Sequence, residues 1–186
     1  MVAAPTTSGL SDVNVRLIEC DRTRSAEILA IFNEAILNST ALYDYSVRTM
    51  AMMDAWFDAK IEGKYPVIGA VDERGTLLGF GTYGVFRERP AYKYTVEHSV
   101  YVDRDCRGRG IGRTLLAAII ERARQQEYHV LIGGIDADNA ISIDLHRKFG
   151  FIFCGEIRES GFKFGRWRHL HFYQLILDTP AHPVDG

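Results

Sequence analysis

Residues 95–114 read TVEHSVYVDRDCRGRGIGRT. Residues 95–102 are rich in β-branched and aromatic types and predict a strand. Its alternation puts one set of side chains on one face (Val96, His98, Val100, Val102) and the other set on the opposite face (Thr95, Glu97, Ser99, Tyr101). A glycine-rich loop follows at 107–112. The apolar spacing from Leu115 to Ala123 then predicts an amphipathic helix.

The rest of the chain extends this strand, loop and helix on both sides. Hydrophobic periodicity and turn residues predict, in chain order, strand 13–18, helices from about 23 and over 49–61, a hairpin of strands 65–71 and 77–86, strand 130–135, helix 141–149, and strands 151–157 and 170–177. Gly150 is a suitable left-handed cap for the last helix. The order β-α-α-β-β-β-α-β-α-β-β predicts an α/β fold with a sheet of mixed direction.

The charge balance and the cysteines limit what the protein can bind. The chain has 22 Lys and Arg against 24 Asp and Glu, a net charge of −2, so we expect no nucleic-acid partner. The three cysteines, Cys20, Cys106 and Cys154, are widely spaced and form neither a CxxC pair nor a closed disulfide framework. We therefore expect reduced thiols in a cytoplasmic protein and no bound metal.

Composition also marks the domain boundaries. Residues 1–12 predict a flexible N-terminal arm, residues 13–177 a single domain and residues 178–186 a tail. Residues 1–11 lack the charged start and apolar stretch of a secretory signal. The longest apolar run, 115–120, is far shorter than the roughly 20 residues that span a bilayer, so we expect no membrane partner.

The loop at 107–112 is a candidate anion site. Between a strand and a helix, unpaired N–H groups and the helix dipole favour a group such as pyrophosphate. The P-loop motif is absent, and a dinucleotide motif would need glycine where Arg113 stands. Arg107, Gly110 and Gly112 instead match Arg/Gln-x-x-Gly-x-Gly/Ala, the acetyl-CoA signature of an acetyltransferase superfamily. The plain alternative is a basic surface turn.

A second motif follows at 139–151, where Asn139, Ala140 and a terminal Gly-Phe frame a short helix. Together the two motifs resemble the GCN5-related N-acetyltransferase (GNAT) superfamily over about residues 13–177. Within it, the chain is most similar to the phosphinothricin and methionine sulfoximine or sulfone N-acetyltransferases, through NSTA at 38–41, TVEHSVYV at 95–102, LH at 145–146 and GFKFGRW at 161–167. The resemblance implies a mixed, mainly antiparallel central sheet flanked by helices.

The resemblance also implies acetyl-CoA as the co-substrate. Its expected contacts lie on the central strand, the loop, the next helix and the second motif: Val100, Tyr101, Val102, Arg107, Gly108, Arg109, Gly110, Ile111, Gly112, Arg113, Thr114, Asn139 and Ser142. A small amine is the expected acceptor, and a homodimer is the expected assembly. The aromatic stretch 162–172 suits either a subunit interface or a pocket wall.

Glu97 is the candidate general base, because an amine attacks a thioester only when it is unprotonated and the resemblance places the catalytic carboxylate here. The plain alternative is a carboxylate paired with a surface cation. His146 is the second candidate, as a proton donor to the departing CoA thiolate or as a residue that orients water. Its alternative is a hydrogen-bonded structural histidine. His98 shares a face with Val96 and Val100, so we expect it to be a core histidine.

An amino-acid acceptor carries a carboxylate that needs a cation, preferably an arginine. Arg87 is the first candidate, Tyr43 and Phe162 would wall the pocket, and Lys163 would add an anion contact; for each, the alternative is a solvent-facing loop residue.

We expect an N-acetyltransferase that moves acetyl from acetyl-CoA to the α-amine of a small amino-acid analogue. Two alternatives stay open: acetylation of a protein N-terminus or lysine, and a non-catalytic acyl-CoA sensor.

Overall fold

A seven-stranded sheet forms the centre of the computed structural model, which describes residues 14–185. The predicted arm at 1–12 lies outside the described residues. The helices and strands are β1 (Arg16–Glu19), α1 (Ser25–Asn38), α2 (Met50–Glu62), β2 (Val67–Val71), β3 (Leu77–Val85), β4 (Thr95–Val102), α3 (Ile111–Gln125), β5 (Val130–Asp136), α4 (Ala140–Lys148), β6 (Ile152–Lys163) and β7 (Arg166–Ile176). They follow the order that the sequence predicts.

The strands lie in the order β1-β2-β3-β4-β5-β7-β6. Neighbouring strands are antiparallel except β4 and β5, which run parallel. The prediction of a mixed, mainly antiparallel sheet is therefore confirmed. A parallel pair needs a crossover connection, which α3 provides. Within residues 14–185, no helix has both the length and the apolar composition to cross a membrane.

Helices cover both faces of the sheet, and the alternation of β4 divides its side chains between them. Val96 belongs to the core under α3, whereas Tyr101 belongs to the core under α1 and α2. The α3 side contributes Leu115, Leu116, Ile119 and Ala123, and the other side contributes Ile28, Phe32, Met53 and Phe57. Each buried Leu, Ile or Phe of these cores contributes roughly 1.5–3 kcal/mol of transfer free energy.

The parallel pair is short. β4 and β5 pair only at Thr95 with Val130, Val96 with Leu131 and Glu97 with Ile132, although both strands continue beyond these residues. The strands therefore separate, and we call the space between residues 98–102 of β4 and 133–136 of β5 the β4–β5 split. Beyond Glu97, β4 has no strand partner on its β5 side within the described part of the chain.

The last hairpin is longer than predicted. β6 and β7 continue to a tight turn in which Phe164 and Gly165 have φ values of 53° and 74°. The pairing register shifts between Phe153 and Gly155 and again between Ile157 and Gly161. Such bulges break the period-two alternation that identifies a strand in a sequence. The predicted strands 151–157 and 170–177 therefore miss the distal half of the hairpin.

Candidate active site

The carboxyl ends of β4 and β5 meet the N-termini of two helices. β4 ends at Val102 and α3 begins at Ile111, while β5 ends at Asp136 and α4 begins at Ala140. Because the two strands are parallel, both helix N-termini lie at the same edge of the sheet, beside the β4–β5 split. Each presents unpaired N–H groups and the positive end of a helix dipole. This edge therefore suits an anionic ligand.

The glycine-rich loop reaches α3 through two glycines. The φ angle is 78° at Gly108 and 79° at Gly110, which favours glycine at both positions. Among the described residues nothing lies within 4 Å of either Cβ position, so the main chain of the loop is open to a ligand. Arg107 anchors the loop: its guanidinium contacts Glu34 of α1 at 2.5 Å and donates to the Val102 carbonyl at 3.2 Å.

The residues predicted to contact acetyl-CoA gather at this edge. Residues 107–114 form the loop and the first turn of α3. Asn139 caps α4 by accepting a hydrogen bond from the Ser142 N–H at 3.1 Å. The side chains of Tyr101 and Ile111 are buried in the two cores, so only their main chains remain available to a ligand.

Glu97 lies where the split begins, at the last paired position of β4. Its Oε1 is 2.9 Å from the point that a Cβ on residue 134 would occupy, so Gly134 leaves the space for this carboxylate. Leu170 and Phe172 of β7 border the same point. Burial raises the pKa of Glu97, and the positive charge of Arg87 opposes that increase. The carboxylate is therefore partly desolvated and poised to accept a proton.

A pair of histidines lies on the other side of the same strands. His98 Nε2 and His146 Nε2 are 2.9 Å apart, and both side chains are buried. His146 Nδ1 donates to the Ser142 carbonyl at 2.7 Å. Burial lowers the pKa of both imidazoles, to about 3 for His98, where the neighbouring His146 adds to the effect. His98 is buried as predicted, but its contact with His146 was not predicted.

Glu97 and His146 face opposite sides of the sheet. A Cβ on Gly133 would approach the rings of His98 and His146 at 3.1–3.3 Å, whereas a Cβ on Gly134 would approach Glu97. Consecutive strand residues point to opposite faces, so these two glycines separate the carboxylate from the imidazoles. His146 was predicted as a proton donor, but it has no free N–H group here. Its Nδ1–H is bound to the Ser142 carbonyl, and its Nε2 faces His98.

The model of the Acetyltransferase (GNAT) family matches residues 33–151, which include α2, α3, α4 and strands β2 to β5. The chain belongs to the GNAT family. It is therefore an enzyme of the acetyltransferase class, and the glycine-rich loop and Glu97 both lie within the matched segment.

Three known proteins are similar to this GNAT chain. The L-methionine sulfoximine/L-methionine sulfone acetyltransferase of Pseudomonas paraeruginosa is 48% identical over 151 residues, 81% of this chain and 88% of that protein. The L-amino acid N-acyltransferase of Escherichia coli is 38% identical over 158 residues, 85% of this chain and 91% of that protein. The crystal structure of a phosphinothricin acetyltransferase from Sinorhizobium meliloti in complex with AcCoA aligns with a TM-score of 0.87 at 33% identity, over 91% of this chain and 92% of that one.

Two predicted acceptor contacts of this GNAT enzyme are exposed. Arg87 follows β3, its guanidinium carbon is 5.2 Å from the centre of the Phe86 ring, and its charge acts on Glu97. Phe162 is 45% exposed and packs edge-on against Trp167 at 5.2 Å between ring centres. Arg87 thus places a positive charge close enough to act on Glu97, and the Phe162 ring offers an exposed apolar surface at the end of the β6–β7 hairpin.

Tyr43 is held in the loop between α1 and α2. Its hydroxyl donates to Asp136 at 2.9 Å, and its ring lies against Gly161, where a Cβ would be 2.7 Å from Cδ2. Asp136 is buried at the end of β5 and also accepts from the Asp138 N–H at 3.0 Å. Tyr43 therefore joins the loop to β5 and β6 on the face that carries Glu97.

Lys163 does not fit its predicted role as an anion contact. The side chain is buried, and Nζ donates to the carbonyls of Ile36, Ser39 and Leu42 at 2.7, 3.0 and 2.5 Å. An ammonium group has three N–H bonds, and all three are used here. Lys163 instead satisfies main-chain carbonyls at and beyond the end of α1, which fixes the loop that carries Tyr43.

Sequence reasoning missed two cations on this face. Arg48 stacks over Phe32 at 4.0 Å from the ring centre and contacts Asp44 at 3.2 Å. Arg168 is buried and contacts Asp138 at 2.9 Å. Both lie in or beside segments read as loops, where side-chain direction has no period to reveal it. Within residues 14–185, no group of three or more His, Cys, Asp or Glu side chains is arranged to hold a metal ion.

Proposed function

We propose that this enzyme transfers the acetyl group of acetyl-CoA to the α-amine of a small amino-acid analogue of the phosphinothricin, methionine sulfoximine or methionine sulfone type. The main support is the position of Glu97, a partly desolvated carboxylate where the β4–β5 split begins, next to the edge at which α3 and α4 start. The three similar proteins support the acceptor class, because their names refer to amino acids or amino-acid analogues.

The open edge of the sheet fits acetyl-CoA. The N–H groups of residues 108–112 would bind the pyrophosphate, and the exposed Arg109 and Arg113 would add positive charge. The edge of β4 that faces the split leaves the main chain of residues 100–102 available to hydrogen-bond an extended ligand. A bound thioester would thus lie near Glu97.

Glu97 performs the base chemistry in this proposal. It takes one proton from the substrate ammonium, and the free amine attacks the thioester carbonyl. A main-chain N–H near Val100 would stabilise the oxyanion. Collapse breaks the carbon–sulfur bond, and the second proton of the attacking nitrogen passes to the thiolate as the amide forms. The raised pKa of Glu97 makes the carboxylate a stronger base for the first step.

The acceptor would lie on the Glu97 face, under the α1–α2 loop. Arg87 would bind the substrate carboxylate, while Tyr43 and Phe162 would form walls. Arg48 places a second cation in the same loop. Lys163 and Tyr43 fix this loop over the sheet, which favours a small substrate over an extended peptide.

We include a homodimer in the proposal. β6 is the last strand of the sheet, and the β6–β7 hairpin exposes Ile152, Phe153, Ile157, Phe162, Phe164 and Trp167. An apolar edge strand of this kind is covered in most stable proteins, and a second copy would cover it.

Light scattering tests the assembly and should give the mass of a dimer. Ile157→Glu should give monomers, whereas Ile61→Glu on α2, also exposed, should not. A monomeric wild type would contradict the proposed assembly.

The cytoplasm is the proposed compartment. Cys20, Cys106 and Cys154 are all free thiols, as expected in a reducing environment.

A thiol-release assay with acetyl-CoA tests the activity. The panel should contain phosphinothricin, methionine sulfoximine, methionine sulfone, free amino acids and N-terminal peptides. We expect turnover with at least one of the first three, a large loss in Glu97→Gln and little loss in Glu88→Gln, an exposed neighbour of Arg87. Turnover with peptides alone would indicate a protein acetyltransferase. Tight acetyl-CoA binding without any turnover would indicate a sensor.

A further inference from the structure

An imidazole pair bridges the β4–β5 split. His98 is the first residue of β4 beyond its last pair with β5, and His146 lies in α4, which follows β5. Their Nε2 atoms are 2.9 Å apart. Gly133, the first residue of β5 beyond the paired segment, leaves the space that both rings occupy. A hydrogen bond between the rings therefore connects the two sides of the split where the strands begin to separate.

The hydrogen-bond partners of His98 and His146 determine which ring nitrogens carry protons. The Ser142 carbonyl can only accept, so the His146 Nδ1 at 2.7 Å must carry a proton. In the neutral ring the His146 Nε2 then has a lone pair, and His98 Nε2 donates to it. His98 Nδ1 is then a buried lone pair that makes no hydrogen bond of normal geometry within residues 14–185, although a main-chain contact with Ile132 opposes the fall in the pKa of this ring. Burial lowers the pKa of both rings, which keeps the pair uncharged.

We propose that His98 is a positioning residue: by donating to His146 Nε2 it supports the Nδ1–H tautomer that the Ser142 carbonyl requires, and it holds α4 against β4 across the split. The inference rests on the proposed function for its effect on turnover, but the hydrogen bond itself belongs to the protein without substrate. The one N–H group of His146 is then bound to the Ser142 carbonyl, so His146 has no free N–H group to protonate the leaving thiolate. Its contribution is to set the position of α4, whose N-terminus lies at the proposed acetyl-CoA edge.

Nitrogen NMR of the ligand-free, full-length protein with ¹⁵N-labelled histidine tests the hydrogen bond. We expect a scalar coupling between the two Nε2 nuclei, protonated Nδ1 and unprotonated Nε2 in His146, and protonated Nε2 in His98. The coupling should vanish in His98→Leu. An Nε2–H tautomer of His146, or no coupling in the wild type, would overturn the proposal.

Acetyl-CoA affinity, measured by calorimetry, tests the positioning role without any need for turnover. His98→Leu should weaken binding by roughly tenfold, as expected when one buried hydrogen bond is lost and its partner is left unsatisfied. His98→Gln should restore most of the affinity, because its side-chain amide N–H can reach the position of Nε2. His129→Gln, at an exposed position just before β5, is the matched control and should not change the affinity. Equal affinity in the Leu, Gln and wild-type proteins would overturn the positioning role.

Kinetics with an accepted amine separates this inference from the proposed function. His98→Leu should lower kcat/KM for acetyl-CoA in proportion to the loss of affinity, and His98→Gln should recover it. If the wild-type enzyme turns over none of the panel, the proposed function fails, while the NMR and binding results still decide the role of His98. A His98→Leu protein that melts like the wild type but keeps full kcat/KM would overturn the inference.

Discussion

Tyr43 donates a hydrogen bond to Asp136, with 2.9 Å between the phenol oxygen and the carboxylate. The contact joins the α1–α2 loop to the end of β5, and the same ring covers Gly161 of β6. The proposed wall of the acceptor pocket therefore depends on three segments that are far apart in the sequence.

Tyr43→Phe keeps the ring and removes the hydroxyl. We expect the KM for the acceptor amine to rise by roughly three- to tenfold, because a loop freed from β5 holds the pocket wall less firmly, with stability lower by about 1 kcal/mol. The KM for acetyl-CoA should change little. Steady-state kinetics with each substrate varied in turn measures both values, and Tyr92→Phe, at a partly exposed tyrosine near Phe86, is the control. An equal rise in both KM values would speak against an acceptor wall.

Glu97→Gln should lower turnover and raise stability at neutral pH. Burial raises the folded-state pKa of Glu97 above its unfolded value, so the folded protein holds this proton more tightly. Stability therefore falls as the pH rises from the unfolded to the folded pKa, and the loss is complete above both. Glutamine has no charge to bury and avoids the loss.

Thermal melting of the wild type and of Glu97→Gln at two pH values measures this effect. The variant should melt higher at neutral pH, and the difference should shrink near pH ~4, where the wild-type carboxyl is largely protonated. In an active wild type, kcat should also fall as the pH drops through the folded pKa. A Gln variant that melts lower at both pH values would contradict a desolvated carboxylate.

Lys163→Met tests the structural role of the buried ammonium. Three main-chain carbonyls lose their donor, so we expect stability to fall by about 2–4 kcal/mol. Lys148→Met, on the exposed surface of α4, should change stability by less than about 0.5 kcal/mol. Chemical denaturation gives both values. Unchanged stability with a raised acceptor KM would restore Lys163 as a substrate contact.

Gly110→Ala and Gly75→Ala form a matched pair. Their φ values are 79° and 81°, and neither Cβ position has a neighbour within 4 Å among the described residues. Each substitution should therefore cost a similar roughly 1 kcal/mol in backbone conformation. Only Gly110→Ala should weaken acetyl-CoA binding, because Gly75 lies in the β2–β3 turn. Calorimetric titration with acetyl-CoA measures the affinity of both variants. Equal affinity would show that the glycine-rich loop does not bind acetyl-CoA.

Much of the fold was predictable because its signals are local. The alternation of β4 assigned Glu97 and His98 to opposite faces, and the apolar stripe of α3 was read directly from its spacing. The β6–β7 hairpin was read too short, because its bulges interrupt the alternation. In α4, Ile141 is 86% exposed although it is apolar, while Ile143 and His146 are buried. A short helix with few apolar residues leaves its inner face poorly determined.

The candidate site was only partly predictable, because its contacts join distant segments. Sequence identified Glu97 and the glycine-rich loop, since each lies next to a recognisable element. The hydrogen bond between His98 and His146 and the three carbonyls around Lys163 depend on how the chain folds back on itself. Residue type alone pointed Lys163 towards an anion, whereas burial beside helix-end carbonyls gave it other partners.

The sheet is joined at its middle by three residue pairs, whereas β3 with β4 and β5 with β7 each share seven. The molecule is in effect two half-sheets with a weak seam between them. An extended ligand bound along the free edges of β4 and β5 would act as a substitute strand. It would supply main-chain hydrogen bonds that the two strands do not make with each other. Ligand binding in the β4–β5 split would then also make the whole sheet more rigid. The sheet would therefore be most stable in the ligand-bound enzyme, the state that reacts.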